Sequence, residues 1–400
     1  MTPLDEARHR SLADAIATAH VLVTTGAGGV GKTTTAAAIG LDAARQGRRV
    51  LVMTIDPARR LAQAMGLDTL ASTPQQVDLG RLAAAGLVEA SGRLDAMMLD
   101  MQSTFDALID RHATSAARAR AIKANRIYKT LSSTLSGTQE YMAMEKLHEL
   151  HEEGTYDLLV IDTPPTRSAL DFLDAPQRMT SFLEGRLLNA LLKPAISTGR
   201  GIGRFVNAGA TTFMRVAGKV TGMDLLEDLA DFFSNFEGMY EGFKERADAV
   251  LALLRDPSSQ FVVVASPQPP PLREARFFLD RLQQEGLHAA GVVVNRMHPL
   301  PPGGQDVDEL RHLAAELDDP GMRGVVELLA DTTALAGRER RDVDAALYGR
   351  EPAALVEVPL LRRDVHDLSS LSTIADHLVC LLYTSPSPRD RTRSRMPSSA

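Results

Sequence analysis

The chain has very little cysteine, no excess of basic residues and no long apolar run. Cys380 is the single cysteine among 400 residues, which excludes disulfides within one chain and metal or iron–sulfur sites built from cysteines alone. The formal net charge of −7 argues against a protein that binds nucleic acid regardless of sequence, because such a protein needs a dominant basic surface. We therefore expect no nucleic-acid partner.

The beginning of the chain lacks the pattern of a secretory signal. Asp5, Glu6, Arg8 and Arg10 interrupt any apolar core there. Nowhere in the sequence is there a run of about 18 apolar residues, the length that could cross a bilayer. We therefore expect a cytoplasmic protein.

Residues 380–400 differ in composition from the alanine- and leucine-rich chain before them, because they are rich in arginine, serine and proline. They resemble the in-frame translation of an adapter used in sequencing libraries, so we interpret them as non-native. A genuine disordered basic tail is the alternative. Either way, we leave them out of the fold prediction.

The most informative motif that is present has the spacing G-x-x-x-x-G-K-T of a phosphate-binding P-loop. In such a loop backbone N–H groups point at phosphate oxygens, the lysine reaches the β- and γ-phosphates, and the next hydroxyl ligates Mg²⁺. An apolar strand at 20–25 precedes the motif and an alanine-rich helix at 33–46 follows it, as a P-loop requires. The predicted nucleotide-binding residues of this loop are Gly26, Gly28, Gly29, Val30, Gly31, Lys32, Thr33 and Thr34.

Short apolar strands alternate with helical stretches, which predicts an α/β fold with a doubly wound parallel sheet of the P-loop type. The predicted strands lie at 21–25, 50–55, 158–161, 261–265, 291–294 and 355–358. Two stretches, at about 94–153 and 179–257, exceed what a minimal nucleotide-binding domain needs. We predict that they are helical insertions in a single domain that spans 1–379.

The second insertion contains two unusual segments. Residues 185–223 include six basic residues but no acidic one, with frequent glycine, which favours a mobile lid. An apolar stripe at helical spacing follows between 225 and 243. An ordinary helix packed on the core explains the stripe alone, whereas the two segments together favour a hydrophobic protein client or contact with anionic lipid.

Two carboxylates follow apolar strands, at the positions where open α/β sheets bind ligands. Asp162 stands where a carboxylate near Mg²⁺ is needed, with the capping of a turn as the alternative. Asp56 is a candidate to orient or deprotonate the attacking water, although Pro57 also suits a helix that Asp56 caps. We predict Asp56 and Lys32 as catalytic residues, and Thr33 and Asp162 as the metal-binding pair.

These motifs resemble those of the ArsA-like deviant P-loop ATPases, the family of arsenite-pump and tail-anchored-protein-targeting ATPases. The resemblance covers nearly the whole chain before residue 380, and the motifs occur in the family's order. It rests on Gly26 to Thr35, Thr54 to Ala58 as a first switch, Asp162 to Thr166 as a second, Val292 to Asn295, and Val358 to Leu361.

The resemblance implies a dimeric ATPase that uses ATP and Mg²⁺, in which Asp56 acts on water and Asp162 supports the metal ion. It also implies that Asn295 reads adenine, which Pro359 and Leu361 border. The sequence after Asn295 lacks the Asn-Lys-x-Asp pattern of guanine readers, which independently favours ATP.

The chain departs from the family at Ala27, where the family usually has a lysine that reaches the partner's nucleotide across a dimer, much as an arginine finger does. A homodimer would lack this lysine at both sites, whereas a heterodimer with a lysine-bearing paralogue would complete this chain's site. Arg167 and Ser168 also replace the Gly-His that commonly ends the second switch. The family's cysteines that bind arsenite, or that join two subunits through a zinc ion, are absent from this chain.

We predict a molecular switch that binds and hydrolyses ATP and couples hydrolysis to rearrangement of a dimer and handling of a hydrophobic or membrane-associated client. Such a client would bring the cytoplasmic protein peripherally to a membrane. One alternative is a catalytically weak, nucleotide-responsive scaffold subunit that regulates a paralogous ATPase. The other is a partitioning or membrane-positioning ATPase, which the acidic charge and the long apolar insertion disfavour.

Overall fold

The structure is a computed structural model, and the statements below concern the part of the chain that it describes. This part comprises residues 12–55, 59–84, 91–126, 128–129, 138–164, 240–301, 306–349 and 354–379.

The described residues form eight strands and twelve helices, and most strands are followed by at least one helix. In chain order the strands are β1 (Val21–Thr25), β2 (Arg49–Thr54), β3 (Gln75–Gln76), β4 (Arg93–Met98), β5 (Leu158–Asp162), β6 (Ser259–Ala265), β7 (His288–Met297) and β8 (Leu355–Pro359). The helices are α1 (12–18), α2 (Lys32–Arg45), α3 (Arg59–Ala64), α4 (Gly80–Ala84), α5 (Met101–His112), α6 (Ala116–Ala124), α7 (Thr138–Glu153), α8 (Tyr240–Arg255), α9 (Pro269–Gln284), α10 (Val307–Glu316), α11 (Pro320–Leu347) and α12 (Leu368–Val379).

The strands form one sheet in the order β3-β4-β2-β5-β1-β6-β7-β8. Every neighbouring pair is parallel except β3 and β4, which are antiparallel. All five residues of β1 and of β5 are buried, as expected of strands that are covered by helices on both faces. The predicted α/β fold with a parallel sheet, and all six predicted strands, are therefore confirmed.

The sequence prediction is wrong at the start of the first insertion, because β4 occupies residues that were predicted to be helical. This strand pairs with β2 from Arg49↔Arg93 to Thr54↔Met98. It contains no β-branched residue, and the charged Asp95 in its middle interrupts the apolar pattern that predicts a buried strand. Asp95 is nevertheless fully buried, because the Tyr156 hydroxyl donates to it at 2.7 Å and Arg93 pairs with it at 2.8 Å.

The apolar core lies between the sheet and the helices α2 and α12. α2 is rich in alanine and buries eleven of its fourteen residues, which lets it pack closely on the strands. α12 buries an apolar face of leucine, isoleucine and alanine in the same cluster. The ion pair between Arg45 and Asp376, at 2.9 Å, joins the two helices at their surface.

The chain divides into two compact units, and the sheet belongs to the first, which comprises Met1–Met98, Leu150–Ala169 and Leu254–Ala400. The second unit comprises Leu99–Glu149 and Leu170–Leu253. Its described part is helical, and within it the carboxylate of Glu145 pairs with Arg246 at 2.8 Å. The single-domain organisation predicted for 1–379 stays a prediction. In the part of the chain that is described, no helix is both long and apolar enough to cross a membrane.

Candidate nucleotide-binding site

The P-loop connects β1 to α2 and has a positive φ at three of its glycines, two of which also lie close to the sheet. Gly26 has a φ of 147°, and a β-carbon there would lie 2.0 Å from the carbonyl oxygen of Val264 in β6. Gly31 has a φ of 101°, and a β-carbon there would lie 2.2 Å from the Asn295 amide nitrogen in β7. Any larger side chain would strain the backbone and push the loop away from the sheet.

The first turn of α2 offers a favourable end for an anion. Gly31 caps the helix without a side-chain hydrogen bond, and there is no acidic residue in the first turn. Lys32 is only 6% exposed, and its ammonium donates hydrogen bonds at 2.9 Å to the carbonyl oxygens of Gly26 and Ala27. A cation and the positive end of a helix therefore meet inside the loop, as a phosphate site requires.

Beneath the loop, Asp162 at the end of β5 accepts two hydroxyl hydrogen bonds. The hydroxyl of Thr33 in α2 donates to its Oδ2 at 2.7 Å, and that of Thr54 at the end of β2 donates to the same oxygen at 3.0 Å. Parallel pairing aligns Asp162 with both Thr24 and Thr54 in the neighbouring strands. The structure thus brings the predicted metal-binding residues Thr33 and Asp162 together, while their role stays a prediction.

The donor set fits a hard divalent cation. Carboxylate and hydroxyl oxygens are the ligands that Mg²⁺ takes, and the oxygen of Thr33 keeps a lone pair while its hydrogen donates to Asp162. Among the described residues, no group of three or more His, Cys, Asp or Glu side chains could hold a metal ion by itself. Mg²⁺ would therefore take its other ligands from water and phosphate, which is its usual preference.

Asn295, near the end of β7, lies against the outer side of the P-loop. Its Nδ2 donates to the carbonyl oxygen of Val30 at 2.9 Å, and its Oδ1 accepts from the backbone N–H of Arg296 at 2.9 Å. An amide group has two N–H donors and two acceptor lone pairs, so both atoms can form a further hydrogen bond. These contacts orient the amide, while the reading of adenine by Asn295 stays a prediction.

The predicted adenine-bordering residues come from β8 and the residues that follow it. Pro359 pairs with Met297, and the N–H of Leu360 donates to the Met297 carbonyl oxygen at 2.8 Å. Leu361 is half-buried and packs on the apolar core. Pairing of β7 with β8 therefore brings Asn295 and Pro359 to the same edge of the sheet.

Five sets of predicted residues lie outside the described part of the chain. They are Asp56 with the rest of the first switch to Ala58, residues 165–168 at the end of the second switch, the acid-free segment 185–223, the apolar stripe from 225 up to the start of α8, and the tail 380–400. The roles proposed for Asp56 and for these segments stay predictions.

Sequence reasoning missed two contacts of the site and the surroundings of Ala27. The Thr54 hydroxyl ends an otherwise apolar strand, a signal that was available in the sequence. Arg296, whose guanidinium donates to the Gly29 carbonyl oxygen at 3.2 Å, follows no recognisable pattern. Ala27 is only 7% exposed and belongs to the apolar core cluster.

Comparison with known proteins agrees with this geometry. A family model described as "Anion-transporting ATPase" matches residues 19–313, a range that includes the P-loop, Asp162 and Asn295. The chain belongs to the anion-transporting ATPase family. The resemblance inferred from the motifs is thereby confirmed.

Two relatives illustrate the breadth of this ATPase family. The chain is 25% identical over 355 residues to "ATPase GET3" of Malassezia globosa, a match that covers 88% of this chain and 89% of that protein. It is 31% identical over 282 residues to "Uncharacterized protein SCO2128" of Streptomyces coelicolor, which covers 70% of this chain and 62% of that protein. The chain thus spans most of the first relative but less than two thirds of the second.

Proposed function

We propose that this protein binds MgATP at the P-loop and hydrolyses it to ADP and phosphate. The observation that carries the proposal is the cluster in which Thr54 and Thr33, the residue after the buried Lys32, donate to Asp162. Phosphoryl transfer depends mainly on positioning and on stabilising charge, and these groups supply both. Membership of a family of ATPases supports the same activity.

Each of these side chains has a defined part in the proposed reaction. Lys32 exchanges its two carbonyl acceptors for the β- and γ-phosphate oxygens, and its charge stabilises the negative charge of the transition state. Thr33 and Asp162 would hold Mg²⁺, which when bound neutralises charge on the phosphates. Asp56 orients the attacking water and accepts its proton.

The adenine end of the nucleotide would lie against the end of β7 and β8. The Asn295 amide, whose orientation is set by Val30 and Arg296, offers a donor and an acceptor that suit the adenine edge. Pro359 and Leu361 would provide apolar contact for the base. The site therefore favours ATP over GTP.

We further propose that the protein works as a dimer whose two arrangements are biased by the nucleotide, and that this switch serves a hydrophobic or membrane-associated client. The similarity to a protein named GET3 supports this proposal. The buried methyl group of Ala27 means that the trans-acting cation, if required, comes from a lysine-bearing paralogue rather than from a second copy.

ATP turnover of the purified full chain tests the catalytic proposal. We expect Mg²⁺-dependent phosphate release that is lost in Lys32→Ala. Lys123→Ala is the matched control, because Lys123 forms a surface ion pair with Asp110 at 2.7 Å in the second unit. Equal turnover in the wild type and in Lys32→Ala would refute the assignment of the site.

A nucleotide-responsive subunit with weak turnover of its own is the second candidate, and the specific observation that favours it is Ala27. In that case the isolated chain binds MgATP tightly but turns over slowly, and a lysine-bearing paralogue accelerates it. The Ala27→Lys variant should then gain turnover as a homodimer. Its melting temperature must be measured alongside, because a lysine at this buried position costs stability unless its stem reaches the surface.

A further inference from the structure

Arg296 occupies an unusual place in the sheet, next to the P-loop. β7 and β8 pair in step to Asn295↔Val358, and the next pair is Met297↔Pro359, so Arg296 is the extra residue of a β-bulge. Its φ is 64°, and among the described residues it is the one non-glycine residue with a positive φ. This conformation is unfavourable for an arginine and free of strain for a glycine.

The chain on the far side of Arg296 is firmly held, which explains how the strained conformation persists. The carbonyl oxygen of Met297 accepts a hydrogen bond from Leu360 at 2.8 Å. The backbone N–H of His298 donates to the Glu339 carboxylate at 2.8 Å, and the His298 ring nitrogen Nδ1 lies 2.8 Å from the other oxygen of the same group. Strain of this kind survives where the surroundings determine the conformation, and it is often found at functional sites.

The bulge turns the Arg296 side chain toward the outer side of the P-loop. Its Nη1 donates to the carbonyl oxygen of Gly29 at 3.2 Å, while the preceding residue, Asn295, donates to the carbonyl oxygen of Val30 at 2.9 Å. Two consecutive residues of β7 thus hold two consecutive carbonyl groups of the loop. Because the N–H groups of a P-loop bind the phosphates, these contacts to its carbonyl groups hold the loop while leaving its N–H groups to the ligand.

We propose that Arg296 is a positioning residue for the polyphosphate of the nucleotide, an inference that rests on the proposed function. Its hydrogen bond keeps the loop in the conformation that receives phosphate, and the permanent positive charge of this exposed arginine makes the potential near the loop more favourable for an anion. The contact lies on the loop backbone and does not involve the base. Arg296 therefore strengthens binding of ATP, ADP and GTP alike, whereas Asn295 discriminates between bases.

The Arg296→Gly variant separates this role from a purely structural one. Glycine adopts the bulge without strain, so the melting temperature should stay the same or rise. Loss of one hydrogen bond from a charged donor should weaken binding of MgATP and MgADP by about fivefold, with the ratio of ATP to GTP affinity unchanged. A purely structural arginine would show the opposite result, a lower melting temperature and unchanged affinity.

The experiment measures the affinity of the full chain for MgATP, MgADP and MgGTP by calorimetry, and the melting temperature of each variant. Arg296→Lys should recover part of the affinity, since it keeps the charge but loses the planar guanidinium. Arg81→Ala is the matched control, because Arg81 is an exposed arginine that donates at 3.1 Å to the carbonyl oxygen of Gly66, a residue that is not part of the P-loop. Its nucleotide affinity should equal that of the wild type.

Lys32→Ala, measured in the same series, distinguishes the two possible failures. Weak binding by Lys32→Ala together with wild-type affinity in Arg296→Gly overturns the role of Arg296 and leaves the proposed function intact. Wild-type affinity in Lys32→Ala overturns the P-loop as the nucleotide site, and the role of Arg296 with it.

Discussion

The parallel strands of the central sheet begin at one edge, here called the amino edge, and end at the opposite one, the carboxyl edge. Polar residues of different kinds lie at these two edges. At the amino edge, Arg49 pairs with Asp157 at 2.7 Å. Beside them, Arg48 donates to the carbonyl oxygens of Ile16, Ala19 and Asp157. These contacts tie α1 and the starts of β2 and β5 together, and each is explained by stability alone.

At the carboxyl edge the polar groups are arranged in a way that stability does not require. A buried lysine rests on two loop carbonyl groups, a buried carboxylate gathers two hydroxyls, and a strained arginine lies against the loop. Among the described residues, polar groups find partners at both edges, but only at the carboxyl edge do a lysine, an arginine and a carboxylate gather around a loop whose N–H groups can receive an anion. Substitutions at the two edges should therefore act on different measurable quantities.

The largest effect is expected at the carboxyl edge, from Asp162→Asn. Asparagine has the shape of aspartate, and its amide oxygen can still accept hydrogen bonds from Thr33 and Thr54. It lacks the negative charge that would support Mg²⁺. We expect turnover to fall by about 100-fold, with a melting temperature close to that of the wild type. Steady-state hydrolysis across a Mg²⁺ titration measures this. A large loss of stability with unchanged turnover would contradict the proposed difference between the two edges.

The next effect is expected at the amino edge, from Arg48→Met. Methionine retains much of the aliphatic volume but leaves three carbonyl groups without their shared donor, so the free energy of unfolding should fall by about 2 kcal/mol. Denaturant unfolding measures the loss. Turnover per folded molecule should not change, and a variant that folds normally but hydrolyses slowly would show that this edge also takes part in function.

A smaller effect is expected from Asn295→Ala, which should weaken binding of all nucleotides through loss of the hydrogen bond to the Val30 carbonyl oxygen and should also change base preference. Without the amide the site loses its donor and acceptor for the adenine edge, so the preference for ATP over GTP should fall about tenfold. Competition of ADP and GDP for a fluorescent ATP analogue measures the ratio. An unchanged ratio of the two affinities would mean that residues other than Asn295 recognise the base.

The smallest effect is expected from Asp157→Asn, and it depends on pH. The hydrogen bonds from Arg49 lower the pKa of Asp157 from 3.8 to about 2 in the folded protein. A lowered pKa means that the stabilisation is present above about pH 4 and is lost as the pH falls toward 2. Because both side chains are partly exposed, we expect a loss below about 1 kcal/mol at neutral pH.

Denaturant unfolding between pH 2 and 7 measures this dependence. In Asp157→Asn the acid-side slope of stability should become flatter than in the wild type, and Arg49→Gln should flatten it in the same way. A slope identical to that of the wild type in both variants would mean that the ion pair contributes nothing in solution.

Much of the sheet and of the phosphate end of the site could be predicted from the sequence. The apolar runs that became β1, β2 and β5 to β8 are long enough to mark strands, and the spacing from Gly26 to Thr33 marks the loop. β4 could not be predicted, because its buried Asp95 depends on Tyr156, a residue distant in sequence. Likewise, the placement of Asn295 on the Val30 carbonyl group depends on pairing between strands.

The P-loop, the positions of the main strands along the chain and the family could be predicted from local spacing and apolar periodicity. The structure was needed to show that Thr54 shares Asp162 with Thr33, that Ala27 is buried in the core, and that Arg296 lies against Gly29. These arrangements arise from strand register and from a bulge between β7 and β8. Register and bulges are set by contacts between distant segments, which local sequence does not encode.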